Sequence, residues 1–157
     1  MKPVLIVGQG IAGASLAAYL WRANVPFLAV DHALPDTCSK VAAGLINPIA
    51  FRRLLVGWRA EEFLQEAAYF YRQLGELLRQ NIFTPLPLVK IINDPALLEQ
   101  WQHKAAQPDF QPFLSDETFT FQRVSGKAVL QAGFVDTVAW LSAWQSFFAG
   151  ARTMAYC

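Results

Sequence analysis

The sequence predicts an α/β fold: a parallel sheet with crossover helices, followed by the beginning of a second domain on a mixed or antiparallel sheet. Three observations carry that reading. Residues 4 to 31 run strand, glycine turn, helix, strand at the spacing of a short crossover. From Pro85 onward, short runs with partial period-two alternation replace helical periodicity. The 157 residues are 54 % apolar and only 16 % charged, against about 25 % charge in ordinary soluble domains. Such a chain is not a disordered tail, and its elements suit burial on both faces.

Charge and cysteine content exclude several functions. Thirteen Lys and Arg stand against twelve Asp and Glu, a formal net charge of +1, so no charge excess supports nucleic-acid binding. The two cysteines, Cys38 and Cys157, are far apart and show neither a pairing pattern nor metal-ligand spacing. No metal site is expected, and a reducing, cytoplasmic compartment is. Positions 3 to 21 carry no charge, as a signal peptide or membrane span would. Gly8, Gln9, Gly10, Gly13 and Ser15 at fixed offsets, with a second hydrophobic strand after them, instead indicate a buried strand, turn and helix and no membrane span.

Each element has a local cause. Val4 to Val7 is a short run rich in β-branched residues, expected to be a central parallel strand covered on both faces. In Gly8-Gln9-Gly10-Ile11-Ala12-Gly13 the first glycine allows a tight turn and the second lets a diphosphate approach the backbone. Gly13 lets the new helix lie close to the strand. The helix, from about Ile11 to Arg22, offers free amides and the positive end of its dipole to an anion without any basic side chain. Asn24-Val25-Pro26 breaks it, and Phe27 to Val30 forms a second strand ending in Asp31.

A carboxylate at that strand end accepts hydrogen bonds from ribose hydroxyls and repels a 2′-phosphate, so FAD or NAD is favoured over NADP. Strand, three glycines, helix, second strand and terminal acid together point to a Rossmann-like dinucleotide site. His32, next to Asp31, belongs to the adenosine end rather than to catalysis.

The next segment is Thr37-Cys38-Ser39-Lys40-Val41-Ala42-Ala43-Gly44-Leu45-Ile46-Asn47-Pro48. It resembles the D-amino-acid oxidase and glycine oxidase family of flavoproteins, with a Thr/Ser-rich turn, an Ala-Ala-Gly stretch and a Pro soon after the second strand's acid. The resemblance implies FAD as cofactor, with the hydroxyls of Thr37 and Ser39 on the diphosphate. It also implies that Val41, Ala42, Ala43, Gly44 and Leu45 pass close to the flavin ring. Residue types alone permit this, and also permit a tightly packed loop, which they favour. Cys38 is expected to be a small packing residue, since no histidine is arranged with it as a base.

The middle of the chain reads as scaffold. Arg52, Arg53 and Arg59 could hold an anion or form a solvated cluster before a helix. That helix, about Arg59 to Asn81, is expected to bury Phe63, Leu64, Ala67, Ala68, Tyr71, Leu74, Leu77 and Leu78, with its early glutamates and late arginines matched to the dipole. Strands at Leu88 to Ile92, Thr118 to Val124 and Lys127 to Gln131 follow, the last two joined by a Ser125-Gly126 turn. A short helix from about Pro95 to Ala106 lies between the first two, with His103 on its surface. Ala132 to Thr137 resembles the turn that returns the family's chain to the nucleotide domain. Asp136 or Thr137 caps a helix with Val138, Leu141, Trp144 and Phe148 on its core face, Gly150 ends it, and Ala151 to Tyr156 forms a further strand.

The expected organisation is therefore a first part of an FAD-binding domain at 1–84, a partial substrate domain at 85–131, and a return to the FAD-binding domain at 132–157. The resemblance implies that the chain corresponds to the leading part of a usual member. Unfinished sheets would then leave apolar faces exposed and open to self-association. It also implies oxidation of a C–N bond in an amino acid or other amine by hydride transfer to flavin N5, with no catalytic side chain assigned in this stretch. The alternatives are another flavin-fold dehydrogenase or hydroxylase, or a non-catalytic fragment or dinucleotide-binding module.

Overall fold

The structure, a computed structural model, describes residues 2–32, 34, 36–149 and 154–156. Gly150 as a helix terminator, Ala151 as the start of a strand, and Cys157 lie outside the described residues. The chain divides into two compact units, one formed by Met1–Gly44, Leu74–Ile82 and Asp136–Cys157, the other by Leu45–Gln73 and Phe83–Val135.

In the first unit, β1 (Val4–Val7) and β2 (Phe27–Asp31) pair in parallel through Val4↔Phe27, Leu5↔Leu28, Ile6↔Ala29 and Val7↔Val30. β11 (Met154–Tyr156) adds in parallel to the other side of β2, so the strand order is β1-β2-β11. The crossover is α1 (Ile11–Arg22). It stops where Asn24 takes a left-handed φ of 53°, a conformation asparagine tolerates better than most residues. Ala14, Ala17 and Ala18 are buried on its inner face, where small side chains permit close packing.

α5 (Thr137–Ala149) completes this core with Trp140, Leu141, Trp144 and Phe148, all buried. Phe148 packs edge-on to Phe27 at 5.7 Å and to Trp144 at 4.4 Å. Of the two expected caps it is Asp136 that acts, its Oδ1 accepting from Ala139 N at 2.8 Å. Val138, expected on the core face, is exposed, and Trp140 is buried instead. Positions 137, 140, 141, 144 and 148 make one continuous stripe at helical spacing, and 138 lies off it.

The two-faced burial expected of β1 does not occur. Ile6, Phe27 and Ala29 are buried, but Leu5 and Val7 on the other face are 60 % and 79 % exposed, and their neighbour Leu28 is also exposed. β1 is an edge strand of the sheet. Leu5 pairs with Leu28 and Val7 with Val30, so the open face is a contiguous apolar strip.

The second unit contains three small sheets. β3 (Leu45–Ile46), β10 (Gly133–Val135) and β6 (Phe83–Pro85) run antiparallel in the order β3-β10-β6. β4 (Ile49–Ala50) and β5 (Leu55–Val56) form a hairpin. The third sheet has the order β7-β9-β8, antiparallel throughout, from β7 (Leu88–Ile91), β8 (Leu114–Phe121) and β9 (Val124–Val129). The core gathers Ile49, Leu54, Trp101, Phe110, Phe113, Leu114 and Val129. Trp101, on α4 (Pro95–Ala105), donates its indole N–H to Ser115 O at 2.9 Å. Asp94 caps α4 as the Asn-Asp-Pro pattern suggests, accepting from Ala96 N at 3.0 Å.

The β8–β9 turn is not at Ser125-Gly126. It falls at Gln122-Arg123, between Phe121 and Val124, with Gln122 at φ 55°. Gly126 sits inside β9, where a Cβ would come within 2.5 Å of Lys90 O and 2.7 Å of Val89 Cγ1. The glycine marks close strand packing rather than a bend.

α3 (Ala60–Leu78) is shorter than expected and is bounded by left-handed residues, Arg59 at φ 50° and Arg79 at φ 53°. Phe70 and Leu74 are buried, whereas Phe63 and Leu77 are exposed. Phe63 packs edge-on to Trp58 at 5.6 Å, and Arg59 lies over both rings.

Candidate dinucleotide site at the glycine turn

The ends of β1 and β2, the glycine turn and the start of α1 come together in the first unit. Gly8 leaves β1 with φ +92°, a conformation that side chains other than glycine rarely adopt. Its N–H donates to Val30 O at 2.8 Å, tying the turn to β2. A Cβ at Gly13 would lie 1.9 Å from Gly8 O. Both glycines are therefore fixed by backbone geometry.

Gly10 differs. It holds the N-cap position of α1 with extended backbone angles, and a Cβ there would meet the Ser39 hydroxyl at 2.8 Å. Ser39 Oγ accepts from Ile11 N at 3.0 Å. One first-turn amide is thus satisfied by a hydroxyl that keeps its own O–H free to donate outward. Ala12 is exposed beside it and Ile11 partly buried.

Beyond Gly8 a cleft of about 300 Å³ is lined by Val7, Gly8, Val30, Asp31 and His32. Asp31 is partly buried and His32 exposed. The cleft has the mixed apolar and polar lining that suits a nucleoside, with a carboxylate as acceptor for hydroxyl donors.

The downstream residues are less gathered. Thr37 is the N-cap of α2 (Cys38–Val41), yet its side chain makes no capping bond there. Cys38 is exposed with a free thiol. Val41 is 71 % exposed, Ala42 and Ala43 are exposed, and Gly44 turns the chain at φ +67°. Leu45 opens β3 in the second unit and is also exposed. Arg52 and Arg53 are exposed, while Arg59 pairs with the Glu62 carboxylate through two guanidinium nitrogens.

Gln9 is a participant that the spacing of glycines does not reveal, because it occupies a variable place between two of them. It is only 3 % exposed. Its Nε2 donates to Gly8 O at 3.3 Å, and its Oε1 is buried without a partner among the described residues. A polar amide inside an otherwise uncharged run is the signal that could have marked it.

Comparison with solved structures decides the fold. Iminodiacetate oxidase from Chelativorans sp. BNC1 matches 98 % of the chain with a TM-score of 0.65 at 17 % identity, over 46 % of its own length. Glycine oxidase from Geobacillus kaustophilus matches 98 % with a TM-score of 0.71 at 14 % identity, over 45 % of its length. L-Amino acid deaminase from Proteus myxofaciens matches 99 % with a TM-score of 0.67 at 14 % identity, over 37 % of its length. The chain has the fold of part of these amino-acid oxidases and deaminases. It spans less than half the length of the solved structures it matches. No protein-family model matches the chain. Among the described residues there is no group of metal-ligating side chains and no helix long and apolar enough to cross a membrane.

Proposed function

We propose that this chain is the leading part of an FAD-dependent oxidoreductase that oxidises a C–N bond of an amino acid or another amine. The observation that carries the reading is the joint between Gly8 and Gly13, which presents the start of α1 beside a cleft ending at Asp31. The fold shared with amino-acid oxidases and deaminases supports the reaction class.

The residues fit such a cofactor. Amides at Gly10, Ala12 and Gly13 would hold the diphosphate at the positive end of the α1 dipole, with Ile11 N kept on Ser39 Oγ and the O–H groups of Ser39 and Thr37 donating alongside. Asp31 would accept the ribose hydroxyls, with His32 alongside. Val41, Ala42, Ala43 and Leu45, all exposed, would run with Gly44 beside the isoalloxazine ring. Bound FAD supplies a two-electron acceptor for the substrate's C–H bond next to nitrogen. The chain's own residues would hold the adenine half, in the cleft lined by Val7, Gly8, Val30, Asp31 and His32. The catalytic side chains are not assigned to this stretch. In this reading the first unit, 1–44, 74–82 and 136–157, is the FAD-binding, Rossmann-like part; 45–73, expected with it over 1–84, joins 83–135 in the second unit, which is wider than the substrate domain expected at 85–131. A reducing, cytoplasmic compartment suits the exposed thiol of Cys38.

The test is an absorbance scan of purified protein, followed by anaerobic addition of amines and amino acids. Flavin bands that bleach with one class of amine support the proposal. A protein that neither carries nor takes up FAD would favour the alternative of a non-catalytic module. Flavin bands that no amine bleaches, but a nitrogen-free alcohol or hydroxy acid added in the same way does, would favour another flavin-fold dehydrogenase.

A further inference from the structure

The second unit has a cleft of about 200 Å³ lined by Ile46, Leu64, Gln65, Ala68, Arg72, Phe83, Pro85, Gln131 and Ala132. Its chemistry is one-sided. Ile46, Leu64, Ala68, Phe83 and Ala132 supply apolar walls, and Arg72 is the one charged residue among those that line it. No ion pair to Arg72 occurs among the described residues. A larger cleft nearby in the sequence, about 710 Å³, shows the contrast: its Arg59 is already paired with Glu62, and Glu61 and Asp109 add further negative charge. The first cleft offers an unmatched cation beside an apolar floor, whereas the second has its cation neutralised internally.

From this we infer that the cleft formed by α3, β3 and β6 binds a small monocarboxylic acid with a branched or aromatic apolar tail, its carboxylate on Arg72 and its tail against Ile46, Leu64, Ala68 and Phe83. Guanidinium matches a carboxylate with two parallel N–H donors. Gln65 adds an amide at the rim, and Gln131 is held there by its own bond to Pro112 O at 3.2 Å. The Phe83 ring makes a near-parallel contact with Tyr71, at 6.0 Å and 27°, so a second ring backs the floor. The volume lies below the range of drug-sized pockets, which limits the ligand to a short chain or a single ring. The site is independent of the dinucleotide reading, because every residue in it belongs to the second unit.

The test is calorimetric titration of the full chain with 4-methylpentanoate and, separately, with its neutral amide. The acid is expected to bind saturably and at least about tenfold more tightly than the amide. Arg72→Gln, which keeps a good helix former, should remove that preference, and Arg72→Lys should retain part of it because the charge remains without the fork. Circular dichroism of each variant reports folding; should Arg72→Gln fail to fold, the acid-to-amide ratio and Arg72→Lys decide. Equal binding of acid and amide, no change in Arg72→Gln, or no saturable binding of the acid up to about 10 mM would each overturn the assignment.

Discussion

The main-chain oxygen of Gly8 stands 1.9 Å from where a β-carbon of Gly13 would sit. The helix start and the strand end therefore touch backbone to backbone, and no rotamer change can relieve an added methyl. Gly13→Ala is expected to lower unfolding stability by about 3 kcal/mol or more. A urea denaturation midpoint close to that of the parent would show that the helix can move away freely.

Gly10 provides the complementary case. Its intruding neighbour is the Ser39 hydroxyl, the end of a side chain that can rotate. Gly10→Ala should cost less than about 1 kcal/mol of stability but weaken FAD binding at least about tenfold, because the new methyl would stand where the proposed site brings in the diphosphate. Denaturation and flavin-fluorescence titration on the same variant separate the two effects. Unchanged affinity would remove the diphosphate from this turn.

The glycine turn was the most legible part of the chain. The bounds of β1, α1 and β2 follow from a β-branched run, three glycines and an Asn-Val-Pro break, all local signals. Exposure was less legible. Val4 to Val7 is apolar at every position, so the sequence does not say which face is covered, and the structure leaves Leu5 and Val7 open. Phe83 to Pro85 forms a strand only because it pairs with Gly133 to Val135, some fifty residues away. Gly126 resembles a turn residue but is required by the approach of Lys90 and Val89, again a contact between separate strands. Within the candidate site, Ser39 was legible only as a hydroxyl that could face an anion. Its bond to Ile11 N, and the burial of Gln9, depend on tertiary packing.

Gly126→Ala follows from that contact. The added methyl would meet the Lys90 carbonyl and force β7 from β9. A loss of about 2 kcal/mol is expected, whereas Ser125→Ala, at the exposed neighbouring position, should lose less than about 0.5 kcal/mol. Equal midpoints for the two variants would contradict the packing role of the glycine.

Burial holds the Tyr71 phenol above its ordinary value of 10.0, by desolvation of the charged form. The unfolded chain then ionises first, binding fewer protons than the folded state above about pH 10. The contribution of Tyr71 to stability is constant below that pH and is lost as pH rises through the folded value. Tyr71→Phe should show a shallower fall in stability between about pH 9 and about pH 11 than the parent. Parallel curves would place the hydroxyl in solvent.

Asp31 tests the account most directly, because in the proposed site its carboxylate is the group that would distinguish a plain ribose from a 2′-phosphorylated one. Competition against fluorescent FAD, using ADP and adenosine 2′,5′-bisphosphate, measures that distinction. In the parent protein ADP should displace FAD at least about tenfold more effectively than the 2′-phosphate, and Asp31→Asn should erase most of the difference. FAD that does not bind saturably, or a 2′-phosphate that competes as well as ADP, would contradict the dinucleotide site.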